Sequence, residues 1–168
     1  MNIDFTAIIH QQSAYKTLLG DIGAGTLSHC YLLASPDTAV AAAIVYAAVT
    51  ALYCPALCGT CPACRKVKNR SHADIKYFSG KLLAADVEKI VSVAEFAPVD
   101  GKYRIAVAEG FGTVTPAMQS KLLKTLEEPP RDAHFFLIAD APEAAVPTVR
   151  SRSKISVRRS ILFSRFTK

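Results

Sequence analysis

Residues 104–139 read RIAVAEGFGTVTPAMQSKLLKTLEEPPRDAHFFLIA. Arg104–Ala108 is a short apolar run of strand length. Thr115 followed by Pro116 is a helix-start signal. The hydroxyl can accept an orphan amide, and proline fits the first helical position, where its missing N–H is not needed. The helix is expected to end at Leu126, because Pro129-Pro130 prevents its continuation. His134–Ala139 then forms a second apolar strand. Strand, helix and strand in succession imply neighbouring parallel strands in an α/β sheet.

Working outward, the same alternation recurs. Ile75–Phe78 is a strand, and Asp86–Ala97 carries Val87, Ile90, Val91 and Ala94 on one helical face with Asp86 as N-cap. Cys30–Leu33 is a buried strand, and Thr38–Leu52 is an Ala/Val-rich stretch of helical length. Ile8–Ile22 is an amphipathic helix ended near Gly20–Gly25. Val149 marks a last turn, followed by a short strand over Ile155–Val157. The expected fold is a parallel sheet covered on both faces by helices, in three layers. Ligand chemistry in such sheets sits beyond the carboxyl ends of the strands, here in the loops after Leu33, Ala108 and Ala139.

The 168 residues suit one domain, and at 51% apolar composition they can build a core. No internal repeat or low-complexity linker marks a second domain. The most apolar stretch, Thr38–Tyr53, is shorter than the ~20 residues that span a bilayer. The N-terminus lacks the basic-then-apolar order of a secretory signal, so a cytoplasmic protein without membrane contact is expected. The net charge of +6 is concentrated near the C-terminus. From Ala144 onward lie Arg150, Arg152, Lys154, Arg158, Arg159, Arg165 and Lys168, with no acidic residue among them. Such a tail suits nucleic acid, an acidic protein surface, or simply solvent.

Cys54, Cys58, Cys61 and Cys64 are spaced C-x3-C-x2-C-x2-C. Short spacings let neighbouring thiolates turn onto one ion, and four thiolates complete the tetrahedral shell of a structural Zn2+. Gly59 gives the loop backbone freedom. Disulfides are unfavoured in the cytosol, and four clustered cysteines fit a lone redox pair poorly. An iron–sulfur cluster is the main competing metal group. His72 is the alternative fourth ligand, and Cys30, inside a strand, reads as a small buried apolar residue.

Several further segments carry a resemblance. His72-Ala73-Asp74-Ile75 is similar to an HPD pattern. Val99-Asp100-Gly101-Lys102-Tyr103-Arg104-Ile105 is similar to a P-x-x-G-x-x-K-V stretch. Ser120–Pro130 contains an LLKTLEEPP signature, and Pro147–Ser153 resembles an SRC motif. Together these resemble the bacterial DNA polymerase III clamp-loader subunits, the gamma/tau ATPase and its relative delta-prime. The LLKTLEEPP run is the most specific of the matches.

The resemblance implies an AAA+ (P-loop NTPase-like) domain over residues 1–168, with a zinc module inserted at about 54–64 and with lid and collar domains outside this chain. It implies partners too: gamma/tau and delta subunits in a ring that loads a sliding clamp onto primed DNA. A P-loop needs glycines, a lysine and a Ser/Thr hydroxyl. In the matching stretch Ser35, Thr38 and Val40 replace the glycines, Ala41 the lysine and Ala42 the Ser/Thr, while Asp37 adds a negative charge. The family's Asp-Glu pair becomes Glu109-Gly110, and its polar sensor position becomes Asp140. The expectation is a delta-prime-like chain without ATPase activity. Arg152, in the SRC-like motif, would serve as an arginine finger in a neighbouring subunit's ATP site; the alternative is a brace for its own turn. The spacer between Cys54 and Cys58 is shorter than usual in the family. Two other functions remain to be distinguished: an active gamma/tau-type ATPase, and a zinc-ribbon module that binds nucleic acid.

Overall fold

The computed structural model describes residues 12–157. Among them five strands, β1 (Cys30–Ala34), β2 (Ile75–Phe78), β3 (Arg104–Ala108), β4 (Ala133–Ala139) and β5 (Lys154–Val157), form one sheet in the order β2-β3-β4-β1-β5. Every pairing is parallel. The helices are α1 (Ser13–Ala24), α2 (Thr38–Tyr53), α3 (Pro62–Lys68), α4 (Ala84–Ser92), α5 (Pro116–Glu127) and α6 (Pro147–Ser151).

β1, β3 and β4 are buried at every position. That is why their sequences are continuous apolar runs rather than alternating ones. Successive side chains still go to opposite faces. On one face Tyr31, Leu33, Ile105, Val107, Phe136 and Ile138 pack against α1 and α2. On the other, Leu32, Ala106, Ala108, Phe135 and Leu137 meet α4, α5 and Val149 of α6. The result is the expected three-layer α/β architecture.

The Ile8–Ile22 helix is seen from Ser13, and its residues 8–11 lie outside the described segment. It ends at Gly25, whose φ of 69° is left-handed and lets its N–H reach the carbonyls of Asp21 and Ile22. Thr115 caps α5 as expected, its Oγ1 accepting the Met118 N–H at 3.4 Å. Asp86 is not the N-cap of α4. The cap position is Leu83, and the Asp86 carboxylate reaches back from inside the first turn to accept the Leu83 N–H at 2.9 Å. α4 also stops at Ser92 instead of Ala97. A tight turn over Val93–Glu95 follows, and Phe96 is already extended; Pro98 disfavours helix at Ala97, the residue before it.

One carboxylate organises the N-terminal ends of β2 and β3. Asp74 is fully buried and accepts the amides of Val99 (2.6 Å), Asp100 (2.8 Å) and Gly101 (2.8 Å). Arg104 Nη1 donates to it at 3.4 Å. Burial alone would raise its pKa; the three amides and the guanidinium outweigh that and hold it below the usual value. A Cβ at Gly101 would overlap the Tyr53 ring, so this turn admits glycine alone. The HPD-like aspartate is therefore a structural anchor. Gln119 plays a similar part across the molecule: its amide donates to the carbonyls of Val114 and Ala144 and accepts the Val146 N–H, tying α5 to the segment that enters α6.

Candidate functional site

The turn between β1 and α2 is where a P-loop would hold phosphate. Here it holds its own side chain. The Asp37 carboxylate caps α2 and accepts the Val40 N–H at 3.2 Å. Ser35 is buried, and its Oγ accepts the Asp37 N–H at 3.1 Å. Free amides and the positive end of the helix dipole make a helix start attractive to anions. Asp37 spends an amide and adds a negative charge at the same spot. Val40, Ala41 and Ala42 point into the core, so no cation stands at the lysine position. Thr38 is exposed at the edge of a pocket of about 220 Å³ that Glu109, Gly110 and Asp140 complete.

Glu109, at the carboxyl end of β3, is occupied from within. Tyr46 donates its hydroxyl to Glu109 Oε1, and Arg70 Nη2 donates to the same oxygen at 3.0 Å. Burial raises the Glu109 pKa. Gly110 has a steric reason: a Cβ there would overlap the Gly80 carbonyl oxygen. An acidic side chain to orient water is thus excluded by the path of the loop before α4. Asp140 Oδ1 accepts the Ala141 N–H at 3.1 Å, and a Cβ at Gly112 would lie 2.8 Å from that oxygen.

The cysteines lie at the other end of α2. Sγ atoms of Cys54, Cys58, Cys61 and Cys64 all lie within 4.8 Å of one another. Cys54 and Cys58 are 3.7 Å apart, close to the edge of about 3.8 Å that a tetrahedron of zinc–sulfur bonds requires. Cys54 ends α2, Cys61 is the N-cap of α3, and Cys64 is buried in the first turn of α3. The helix α3 falls in a stretch whose prolines and cysteines gave no apolar period. The amides of Thr60 and Cys61 hold the Cys58 thiol down at about 6, while burial pushes Cys64 up to about 12. Gly59 takes a φ of 72°, as its place in the loop demands. This donor set, all sulfur and tetrahedrally spaced, fits one metal ion. His72 is not part of it: the ring lies 4.1 Å from that of Tyr53, and Nδ1 accepts the Asp74 N–H. Cys30 is fully buried and pushed up to about 12 by that burial, an inert thiol as expected.

Arg152 follows α6. Its Nη1 donates to the Thr148 carbonyl at 3.1 Å and its Nη2 to Glu127 Oε1 at 2.7 Å, with a third of the side chain exposed (34%). The first contact braces its own turn and the second ties that turn to the end of α5. Of the basic tail, Arg158, Arg159, Arg165 and Lys168 lie outside the described residues. Sequence reasoning did not find Tyr46, Arg70 and Glu127, the residues that engage Glu109 and Arg152. Their partners are distant in sequence and no local motif announces them.

Residues 10–160 match the family described as DNA polymerase III, delta subunit. The chain belongs to this family. Its curated relatives include both kinds of subunit that its motifs resemble. The gamma/tau subunit of Mycobacterium tuberculosis is 28% identical over 160 residues, covering 89% of this chain and 27% of its own length. The delta' subunit of Haemophilus influenzae is 32% identical over 103 residues, covering 58% of this chain and 31% of its own length. The chain thus spans under a third of these relatives.

Among solved structures, a gamma subunit-related protein of Thermotoga maritima superposes with a TM-score of 0.61 at 17% identity, over 87% of this chain and 46% of that one. The DNA clamp loader delta protein of Bacillus subtilis gives 0.56 at 12% identity, over 86% of this chain and 42% of that one. At such identities the likeness concerns the fold, which is that of the clamp-loader AAA+ proteins. No helix among the described residues is long and apolar enough to cross a membrane.

Proposed function

We propose that this family member is a clamp-loader subunit of the delta-prime kind: a cytoplasmic AAA+ domain that carries zinc, binds no ATP, and acts through its neighbours. The observation that carries the reading is Asp37, whose carboxylate accepts the Val40 amide at the start of α2. A loop that satisfies its own phosphate-binding amides has no use for a phosphate. The blocked Gly110 and the engaged Glu109 support the same conclusion. Similarity to gamma/tau spans more of the chain than similarity to delta' and favours an active ATPase as the second reading. Calorimetry separates the two. The proposed function expects no saturable heat with millimolar ATP and magnesium; magnesium-dependent binding establishes the ATPase instead.

In the full-length subunit the domain would join gamma/tau and delta in a ring that places a sliding clamp on primed DNA, with lid and collar supplied beyond this chain. Arg152 would then turn from Glu127 toward the γ-phosphate of ATP held by the adjacent subunit. A planar guanidinium contacts two phosphate oxygens at once, which an ammonium cannot. Arginine fingers supplied in trans are worth on the order of 10³–10⁵ in rate in GTPases, and a ring with other intact sites should lose less. Arg152→Ala in the assembled ring should lower clamp-dependent ATPase while leaving zinc content and assembly intact. Arg152→Lys should not restore it, and Arg150→Ala should behave as wild type. A ring of Arg152→Ala with unchanged ATPase leaves the arginine as the brace of its own turn.

A further inference from the structure

A concavity of about 590 Å³ lies between α2 and α3, beside the Tyr46 and Arg70 that hold Glu109. Its walls are Tyr46, Ala47 and Thr50 of α2, Val67 and Lys68 of α3, and Arg70 just beyond. α3 and its exit hold four cations within six residues: Arg65, Lys66, Lys68 and Arg70. Two are matched by carboxylates, Lys66 by Asp100 at 2.6 Å and Arg70 by Glu109 at 3.0 Å. Arg65 and Lys68 have no ion-pair partner among the described residues. Arg70 is unusual in its backbone as well. Its φ of 54° is left-handed, a conformation costly for a side chain of this size. That turn lays the guanidinium over the rings of Tyr46 (5.1 Å) and Tyr77 (5.7 Å), where it stays half-exposed (48%).

The way Arg70 is held decides what kind of anion would fit. A free arginine takes a carboxylate with the edge of its fork. Here Nη2 is bonded to Glu109 Oε1 and the guanidinium lies over two tyrosine rings, so it is held as a flat group beside the groove. Flat surfaces of this sort stack nucleic-acid bases, on aromatic side chains or guanidinium planes alike. The floor beside it is apolar, from Ala47 and Val67. The hydroxyl of Thr50 is spent on the Tyr46 carbonyl at 2.7 Å and offers nothing to base edges. Lys68 stands at the rim for a phosphate, and Arg65 lies three positions earlier on the same helix.

We propose that this groove binds single-stranded DNA without sequence preference, one base stacking on the Arg70 guanidinium and the flanking phosphates meeting Lys68 and Arg65. The site is independent of the finger role of Arg152 and of the absence of ATP binding. The cysteine cluster would fix its geometry, because Cys61 and Cys64 anchor the first turn of the helix that carries the cations.

The test is fluorescence anisotropy with a labelled oligothymidylate and the zinc-loaded chain, titrated over a range of salt. Each phosphate contact on a single strand contributes about 0.7 to the slope of log affinity against log salt. Lys68→Ala and Arg65→Ala should each lower the slope by about 0.7, and the pair by about 1.4. Ala47→Trp, which fills the groove without altering charge, should weaken binding at unchanged slope; Thr50→Phe provides a second filling variant if the first loses its fold. Zinc content and melting temperature of the charge variants should match wild type. An unchanged slope in the double variant overturns the proposal, since any affinity then belongs to the basic tail. Absence of oligonucleotide binding at low salt overturns it too. Filling variants that bind as wild type overturn it as well, and displacement of the oligonucleotide by polyglutamate in that case assigns the surface cations to an acidic protein segment instead.

Discussion

The two ends of α2 have opposite fates. At its start the Asp37 carboxylate accepts the Val40 amide, and at its finish Cys54 lies within 4.8 Å of three more sulfurs. The first end has closed on itself; the second brings together four sulfurs that one metal ion could join. Whether a polar cluster is satisfied from within separates an abandoned site from a retained one more clearly than residue identity does. Glu109 makes the point again: its residue type suits a metal, yet Tyr46 and Arg70 have taken its outer oxygen.

Metal removal should produce the largest effect. Structural zinc contributes folding energy outright, so a strong chelator or Cys64→Ser should cost several kcal/mol on the order expected for a closed thiolate site, and should lower the melting temperature steeply. A chain that melts at the same temperature with and without chelator breaks the comparison at its open end. Next comes Gly110→Glu, which places an acidic residue where the resembled ATPases carry one. Because its Cβ must displace Gly80, the variant should lose about 2–3 kcal/mol in a denaturant titration and gain no ATPase. The smallest effect belongs to Asp37→Ala. Losing this cap should cost about 1 kcal/mol. Added sulfate should return part of that stability, because the exposed amides then resemble any helix start. ATP binding by this single variant would mean that the closed end is closed by one carboxylate alone.

Much of the fold was legible in the sequence, and the reason is burial. β1, β3 and β4 are covered on both faces, so their apolar runs stand out without any periodicity to decode. α5 announced itself through Thr115-Pro116 and Pro129-Pro130. α3 did not, because its first turn serves the cysteines and its exposed face is uniformly basic. The Asp86 error has a local cause: an acidic residue early in a helix can accept an amide from the cap position or from the third residue within, and sequence alone does not distinguish them. In the candidate site, the residues standing where a P-loop has its glycines, lysine and hydroxyl were readable one by one. The steric exclusion at Gly110 was not, since Gly80 is thirty positions away and carries no motif. Nor was the Arg152–Glu127 pair, whose members belong to two separately recognisable motifs.

Asp74 has a consequence for how the chain finds its fold. Sliding β2 by one residue against β3 would keep most of the backbone ladder, because parallel strands pair evenly along their length. It would also carry the Asp74 carboxylate away from the amides of Val99, Asp100 and Gly101 and leave it ionised in an apolar interior. A buried charge without partners is far less tolerable than a misplaced alanine. The carboxylate therefore acts as a proofreader of alignment at the edge of the sheet, where few neighbours enforce it. Its check depends on acidity: above the ordinary carboxylate pKa the charge is present and errors are rejected. As pH falls through the depressed value of the folded state, the proton neutralises it, and both the stability and the discrimination fade together.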